Sequence, residues 1–229
     1  MTSITTSPLR RVRSFVRREG RLTPAQQKAL DTHWSRYGIA AGEGAIDLEV
    51  LFGRGAPRVL EIGFGNGDTL LHLAEQNPHE DFLGIEVHRP GVGRLLLGLE
   101  ERGLSNVRVF CADAAEVLEQ RLAPASLQRI LIFFPDPWPK KRHHKRRLIQ
   151  PALLPLLADR LESGGIVHLC TDWEPYAAHM LATFRASAEF LNLAGDDFME
   201  RPPERPLTRF EQRGQRLGHQ SWDLMFKRC

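Results

Sequence analysis

Between Pro57 and Ala186 the chain alternates five times between a short apolar run and a stretch of helical period, with turns rich in Gly, Pro, Asn or Asp, though no internal sequence repeat. The runs Arg58–Ile62, Phe82–Val87, Val107–Cys111, Arg129–Phe134 and Ile166–Cys170 read as strands. Helices are expected over Asp68–Gln76, Pro90–Arg102, Ala114–Leu122, Pro151–Leu161 and Trp173–Ala186. Strands spaced by helices can bury their apolar faces together only as a mostly parallel sheet with helices on both sides. The strand-like runs are almost continuously apolar, as strands covered on both faces must be. The fold class is therefore α/β. Two weaker runs near Phe190–Ala194 and Ser221–Phe226 are expected to add a C-terminal antiparallel strand pair.

With 229 residues, 42% of them apolar, one domain over residues 23–229 accounts for the core. Residues 1–22 are Ser/Thr-rich, then Arg-rich, and read as a flexible basic arm. Thr23-Pro24 has the form of an N-cap followed by proline in the first turn, opening a helix to about Ser35. Gly38–Gly44 reads as a loop. The net charge of +3 is the sum of +6 in residues 1–28, +6 in residues 140–147 and −9 elsewhere. Two concentrated basic runs on an acidic body suit an acidic polymer, although either run alone could be a solvated face. Cys111, Cys170 and Cys229 are too few and too scattered for a disulfide framework or a zinc pattern. No apolar leader or run of about 18 apolar residues occurs, so a reduced, cytoplasmic protein with no membrane contact is expected.

The first strand ends in Leu60-Glu61-Ile62-Gly63-Phe64-Gly65-Asn66-Gly67, a Gly-x-Gly-x-Gly turn between strand and helix. Glycines there allow close backbone approach to a ligand. The spacing is not that of a dinucleotide site, and Glu61 would sit awkwardly beside a pyrophosphate. S-adenosylmethionine has no phosphate and carries a sulfonium and an ammonium, which acids accept. Glu86 closes the second strand, where a carboxylate can take both ribose hydroxyls. Asp113 follows the third strand, where it would border the adenine or simply cap the next helix. This constellation resembles class I S-adenosylmethionine-dependent methyltransferases over roughly residues 55–190, which implies a Rossmann-like sheet.

The fourth run breaks into Phe134-Pro135-Asp136-Pro137-Trp138-Pro139-Lys140, and residues 140–147 then hold six Lys/Arg and two His with no acid. With Thr171-Asp172-Trp173 and Thr208-Arg209-Phe210-Glu211, this stretch resembles the bacterial tRNA (guanine-N7)-methyltransferases along essentially the whole chain. The resemblance implies methyl transfer to a variable-loop guanine of tRNA, conventionally position 46. It assigns Glu61, Glu86, Asp113 and Asp136 to the cofactor, with Gly63, Gly65 and Gly67 in the loop, and Asp136 to catalysis. Lys140, Asp172, Thr208, Arg209, Phe210 and Glu211 become substrate-binding positions. Arg142, His143, His144, Lys145, Arg146 and Arg147 become the RNA-contacting run.

Guanine N7 has a free lone pair, so Asp136 is expected to position the base and stabilise charge without acting as a general base. Adjacent His143 and His144 would not face one ligand together on a helix, so no metal site is expected. No obligate protein partner is evident. Asp172 could instead cap a helix, and Trp138 could either stack on a base or pack over its turn. Two other readings fit parts of the chain: an amino-methylating enzyme of the same fold, and a noncatalytic RNA-binding protein.

Overall fold

A computed structural model describes residues 20–40, 42–216, 218 and 220–229. Most of the expected arm, residues 1–19, lies outside them. Leu22 already packs against the core.

Helix α1 (Pro24–Tyr37) opens as its sequence dictates. Thr23 and Gln26 bond reciprocally, each side chain accepting from the other's backbone N–H, with Pro24 in the first turn. Helix α2 (Leu48–Phe52) is a short element that sequence periodicity leaves invisible; Asp47 caps it through the N–H groups of Glu49 and Val50. Then come β1 (Arg58–Ile62), α3 (Asp68–Gln76), β2 (Asp81–Ile85), α4 (Arg89–Glu101), β3 (Val107–Phe110), α5 (Ala114–Gln120) and β4 (Leu127–Phe133). The remaining elements are α6 (Leu154–Arg160), β5 (Leu161–Thr171), α7 (Glu174–Arg185), β6 (Phe190–Asn192), α8 (Arg209–Arg216) and β7 (Trp222–Arg228).

The seven strands form one sheet in the order β3-β2-β1-β4-β5-β7-β6. Strands β1 to β5 pair in parallel, and β7 runs antiparallel between β5 and β6. Along β1, Leu60 and Ile62 face a core built with α5, α6 and α7, while Val59 faces the core under α1, α3 and α4. Glu61 shares the face of Val59 by the two-residue period of a strand.

Several element ends shift by one or two residues from the sequence expectation, and larger differences have local reasons. The helix expected from Pro151 begins as a 3-10 turn, Pro151–Leu153, and becomes α-helical only at Leu154. Pro155 has no N–H to give to the carbonyl four residues back. Ser163-Gly164-Gly165 lies inside β5, where the β4–β5 register shifts; Gly164 has φ +76°, a conformation glycine adopts without strain. Thr208–Glu211, for which the sequence reading placed no helix, opens α8.

Helix α4 must pass very close to the glycine turn. A Cβ added to Gly91 would lie 2.1 Å from the Gly65 carbonyl oxygen. Gly91→Ala is therefore expected to lower stability by about 1–3 kcal/mol, the usual cost of overpacking. Denaturant unfolding measures it directly, and an unchanged midpoint would mean that the two segments do not meet.

Candidate active site

Strand β1 delivers the chain into the turn at Gly63, whose N–H donates to Ile85 O at 2.8 Å. Gly63, Gly65 and Gly67 all have left-handed φ, at 76°, 57° and 79°. Gly65 N–H donates to Glu86 Oε2 at 2.9 Å, while Glu86 Oε1 accepts from Val87 and His88 N–H. Glu86 thus holds the turn and the start of α4 together.

Glu61 lies beneath that turn, 3% exposed. Its Oε2 is buried with no hydrogen-bond partner among the described residues. Burial, and then the charge of Glu86, push its carboxyl up to about 8. A buried acid with an unsatisfied oxygen is a receptor for a cation or a donor.

Beyond β4 the chain makes a turn rigidified by Pro135, Pro137 and Pro139. Phe134 and Trp138 adopt φ of 51° and 45°, left-handed values that cost a bulky residue strain. The turn is held from two sides. Phe134 N–H donates to Cys170 O at 2.8 Å, tying it to the end of β5. Arg147 donates from Nε to Pro137 O at 2.9 Å, with its guanidinium over the Tyr176 ring. Arg147 is only 4% exposed, so this residue of the basic run is turned inward as a brace instead of outward toward phosphate.

A cavity of about 670 Å³ lies between these two turns. Its wall includes Ile62, Gly63 and Glu86 on one side and Phe133, Phe134, Asp136 and Trp138 on the other. Of the residues singled out in the sequence, Gly63, Glu86 and Asp136 line it; Gly65 and Gly67 continue the same turn. Asp113 accepts from Ala115 N–H at 2.8 Å as the N-cap of α5, between Ala112 and Ala114, which line the cavity. Asp136 is exposed and makes no hydrogen bond among the described residues. Asp172 is half-buried and does not cap α7: Thr171 Oγ1 accepts the Trp173 N–H instead. Because Phe133 pairs with Cys170, Asp136 and Asp172 leave adjacent strand ends.

Lys140 is exposed and precedes a 3-10 helix, Lys141–Arg146. Within it Arg142 and Lys145 are exposed, Arg146 stacks over Trp138 at 5.1 Å, and His143 meets the same ring edge-on at 5.7 Å. Loss of hydration, and then the charges of Arg142, Arg146 and Lys140, hold His143 below its usual range. His144 Nε2 lies 3.2 Å from Arg147 Nη2. Among the described residues no group of three or more His, Cys, Asp or Glu is placed to hold a metal ion.

Thr208 and Glu211 form a second capping box. Thr208 Oγ1 accepts from Glu211 N–H at 3.1 Å, and Glu211 Oε2 accepts from Thr208 N–H at 3.1 Å. Arg209 and Phe210 contribute backbone to the first turn of α8. The Glu211 carboxylate is 4% exposed and engaged by Arg205, a residue the sequence reading passed over. Asp223 and His168 complete this buried cluster, with Asp223 Oδ1 2.7 Å from His168 Nε2. Burial works against both charges. The hydrogen bond from Arg205 nonetheless holds Glu211 below the usual carboxylate range, and that to Glu211 keeps Arg205 above its own. Thr-x-x-Glu is a capping-box signature and could have revealed α8 from sequence; the approach of Arg205 to Asp223 has no local signal.

The sheet order, the glycine turn over a buried acid and the cavity at the carboxyl ends of the strands define a class I methyltransferase fold. A family model described as "Putative methyltransferase" matches residues 55–224. The chain belongs to the tRNA (guanine-N(7)-)-methyltransferase family. It is 54% identical over 221 residues to the protein of that name from Alcanivorax borkumensis, covering 96% of this chain and 92% of that one. The relative from Stutzerimonas stutzeri is 52% identical over 223 residues, covering 97% and 94%. Among solved structures, the 16S rRNA methyltransferase KamB superposes with a TM-score of 0.55 at 15% identity, covering 96% of this chain and 99% of that one. SMU.1697c from Streptococcus mutans, in complex with SAH, gives 0.51 at 11% identity, covering 83% and 100%. At such identities these structures share the fold.

The buried acid makes a pH prediction. A carboxyl whose folded pKa lies above its unfolded value keeps a proton that the unfolded chain has lost. Without ligand, Glu61 therefore subtracts stability progressively as pH rises from about 4.5 to about 8. Glu61→Gln should flatten that decline in urea titrations across the window. Parallel pH profiles for the two proteins would show that Glu61 is ionised throughout.

Proposed function

We propose that the chain transfers a methyl group from S-adenosylmethionine to N7 of a guanine in tRNA, at the variable-loop position 46. The observation that carries this reading is one cavity with the glycine turn and Glu86 on one wall and the exposed Asp136 on the other, beside a basic helix. The names of the 52–54% identical relatives supply the target atom. A tRNA substrate also implies a cytoplasmic setting, and among the described residues no helix is long and apolar enough to cross a membrane.

The residues fit the cofactor. Glu61 Oε2 lacks a donor in a place where an ammonium would supply one, and ligand binding would ionise it. Glu86 is assigned to the ribose hydroxyls and Asp113 to the adenine edge. Gly63 and Gly65 leave space along the backbone, with no atom within 4 Å of a Cβ built at either, whereas Gly67 lets the turn pack against Leu95, 2.6 Å from where its Cβ would lie. When bound, S-adenosylmethionine would supply an electrophilic methyl group on its sulfonium to a ring nitrogen that already carries a lone pair. N7 loses no proton, so no residue has to act as a base. Asp136 accepts hydrogen bonds from the guanine edge and faces the positive charge that develops on the ring. Asp172, just past the end of β5, and Lys140, at the start of the basic helix, have side chains with no hydrogen bond among the described residues and take the substrate beside it. Arg142, His143, His144, Lys145 and Arg146 meet phosphates. Trp138, on the cavity wall, offers the base a ring.

The test is incubation of unmodified tRNA with labelled cofactor, followed by nucleoside analysis for 7-methylguanosine. Asp136→Asn should lower kcat by about 100-fold, as loss of one charge-stabilising group typically does, while the fold is kept. A near-normal rate would remove the carboxylate from the mechanism.

The basic helix separates two roles. Arg142→Gln with Lys145→Gln should weaken all tRNAs alike and flatten the log–log salt slope by about one unit per lost phosphate contact. Arg147→Gln should leave the slope unchanged and instead destabilise by about 1–3 kcal/mol, because Pro137 O loses its donor. Equal slopes in all three proteins would mean that the exposed cations do not touch the backbone.

A further inference from the structure

We infer that Arg205 is a positioning residue for methyl transfer, and that Glu211 acts through Arg205 and not on the substrate; the inference rests on the function proposed above. The Glu211 carboxylate has no acceptor capacity left to offer. Its Oε1 accepts from Arg205 Nη2 at 2.7 Å and Ser221 Oγ at 3.1 Å. Its Oε2 accepts from Arg205 Nη1 at 2.6 Å, Thr208 N–H at 3.1 Å and Thr208 Oγ1 at 3.4 Å. A carboxylate has about four lone-pair sites, and five donors already meet them. The Arg205 and Glu211 side chains are each 1% exposed, so neither is presented to an incoming base.

Arg205 continues the chain of contacts. Its Nη2 also donates to Asp223 Oδ2 at 2.8 Å. Its Nε lies 2.6 Å from Asp223 Oδ1 but off the line of its N–H, an ion-pair contact without a hydrogen bond. A guanidinium can serve two carboxylates at once because its donors form a planar fork; a lysine ammonium cannot reproduce that geometry. The guanidinium carbon then approaches the wall of the site. It lies 5.8 Å from the Phe133 ring centre and 6.0 Å from that of Phe134, and His168 meets Phe133 edge-on at 4.9 Å.

Phe133 and Phe134 both line the cavity, and Asp136 follows two residues later. Phe134 is one of the residues held at positive φ, and such strain persists only where surrounding contacts over-determine it. The C-terminal capping box thereby fixes Arg205, Arg205 fixes the two rings, and the rings fix the turn that carries Asp136. A Thr-x-x-Glu segment far along the chain can govern the reaction without touching guanine or cofactor.

Two cycles of single-turnover methyl transfer test this. In the first, tRNA with guanosine or inosine at the target position is paired with wild-type enzyme or Glu211→Gln. Inosine lacks the 2-amino group that a substrate-contacting carboxylate would accept. The two effects should multiply within about twofold, as independent sites do, and cofactor affinity by calorimetry should stay within about threefold of wild type. Coupling of about tenfold between Glu211 and the amino group, or loss of cofactor affinity, overturns the inference.

In the second cycle, Arg205→Lys and Glu211→Gln should each slow transfer by about tenfold or more, and the double variant should be no slower than the slower single one. Multiplying effects overturn the inference. If Arg205→Lys does not fold, a variant carrying Arg205→Met, Glu211→Gln and Asp223→Asn removes the buried charges together, an exchange that commonly preserves stability. That protein should bind tRNA and cofactor yet transfer methyl at least about tenfold slower. A wild-type rate from it would reduce Arg205 to a stabiliser of the fold. Absence of 7-methylguanosine from the wild-type reaction would instead sink the parent reading.

Discussion

The parallel pairing of β1 with β4 is the constraint on which the site depends. Leu60 lies opposite Ile130 and Glu61 opposite Leu131, so both strands end at the same edge of the sheet. After β1 the chain builds outward to β2 and β3, and it returns to β4 on the other side of β1. The connections therefore diverge at the β1–β4 seam, and divergence opens a crevice. One strand brings a glycine turn to that crevice and the other a proline-stiffened turn. Neither turn could form a cavity alone. The neighbouring pair, β4 with β5, repeats the device: Phe133 opposite Cys170 sets Asp172 beside the turn that carries Asp136.

Strands and helices of the parallel half were legible because each obeys a local rule. The bounds of β1 and α3 match the sequence reading residue for residue, since a Pro precedes the strand, glycines separate the two and Asn77-Pro78 ends the helix. Misreadings arose where one residue type serves two purposes. Gly164 and Gly165 stop a helix in most sequences; here they let β5 bulge while it keeps its pairing. Five-residue α2 is too short to show a period and is announced only by Asp47.

The site was legible in a different proportion. Glu86 and Asp136 could be read because strand ends in an α/β sheet are where ligands bind. Arg147 was grouped with its neighbours because composition cannot tell an exposed cation from one folded under a turn. In this 3-10 helix Arg142 and Lys145 stay in solvent while Arg147, just past its end, turns in beneath Pro137. Thr208 and Glu211 were grouped in one motif and assigned to the substrate; in the structure they bond to each other, and Glu211 to Arg205. Charge burial depends on contacts between residues 168, 205, 211 and 223, and no window of sequence contains all four.

The placement of β7 also governs when the enzyme can become whole. Among the described residues β6 pairs only with β7, and β7 carries Asp223 into the middle of the sheet, opposite Cys170. Strands β1 to β5 and both turns of the cavity precede β7 in the chain, so their residues leave the ribosome first. Until β7 slides between β5 and β6, however, the edge of β5 stays unpaired and Arg205 has no Asp223 to meet. The residues of both turns thus come early in synthesis, and the clamp behind Phe133 comes last. A chain whose translation stalls before Trp222 would carry every residue of both turns but no Asp223 to meet Arg205, and β5 would lack the partner that covers its edge, an opening that invites pairing with other chains.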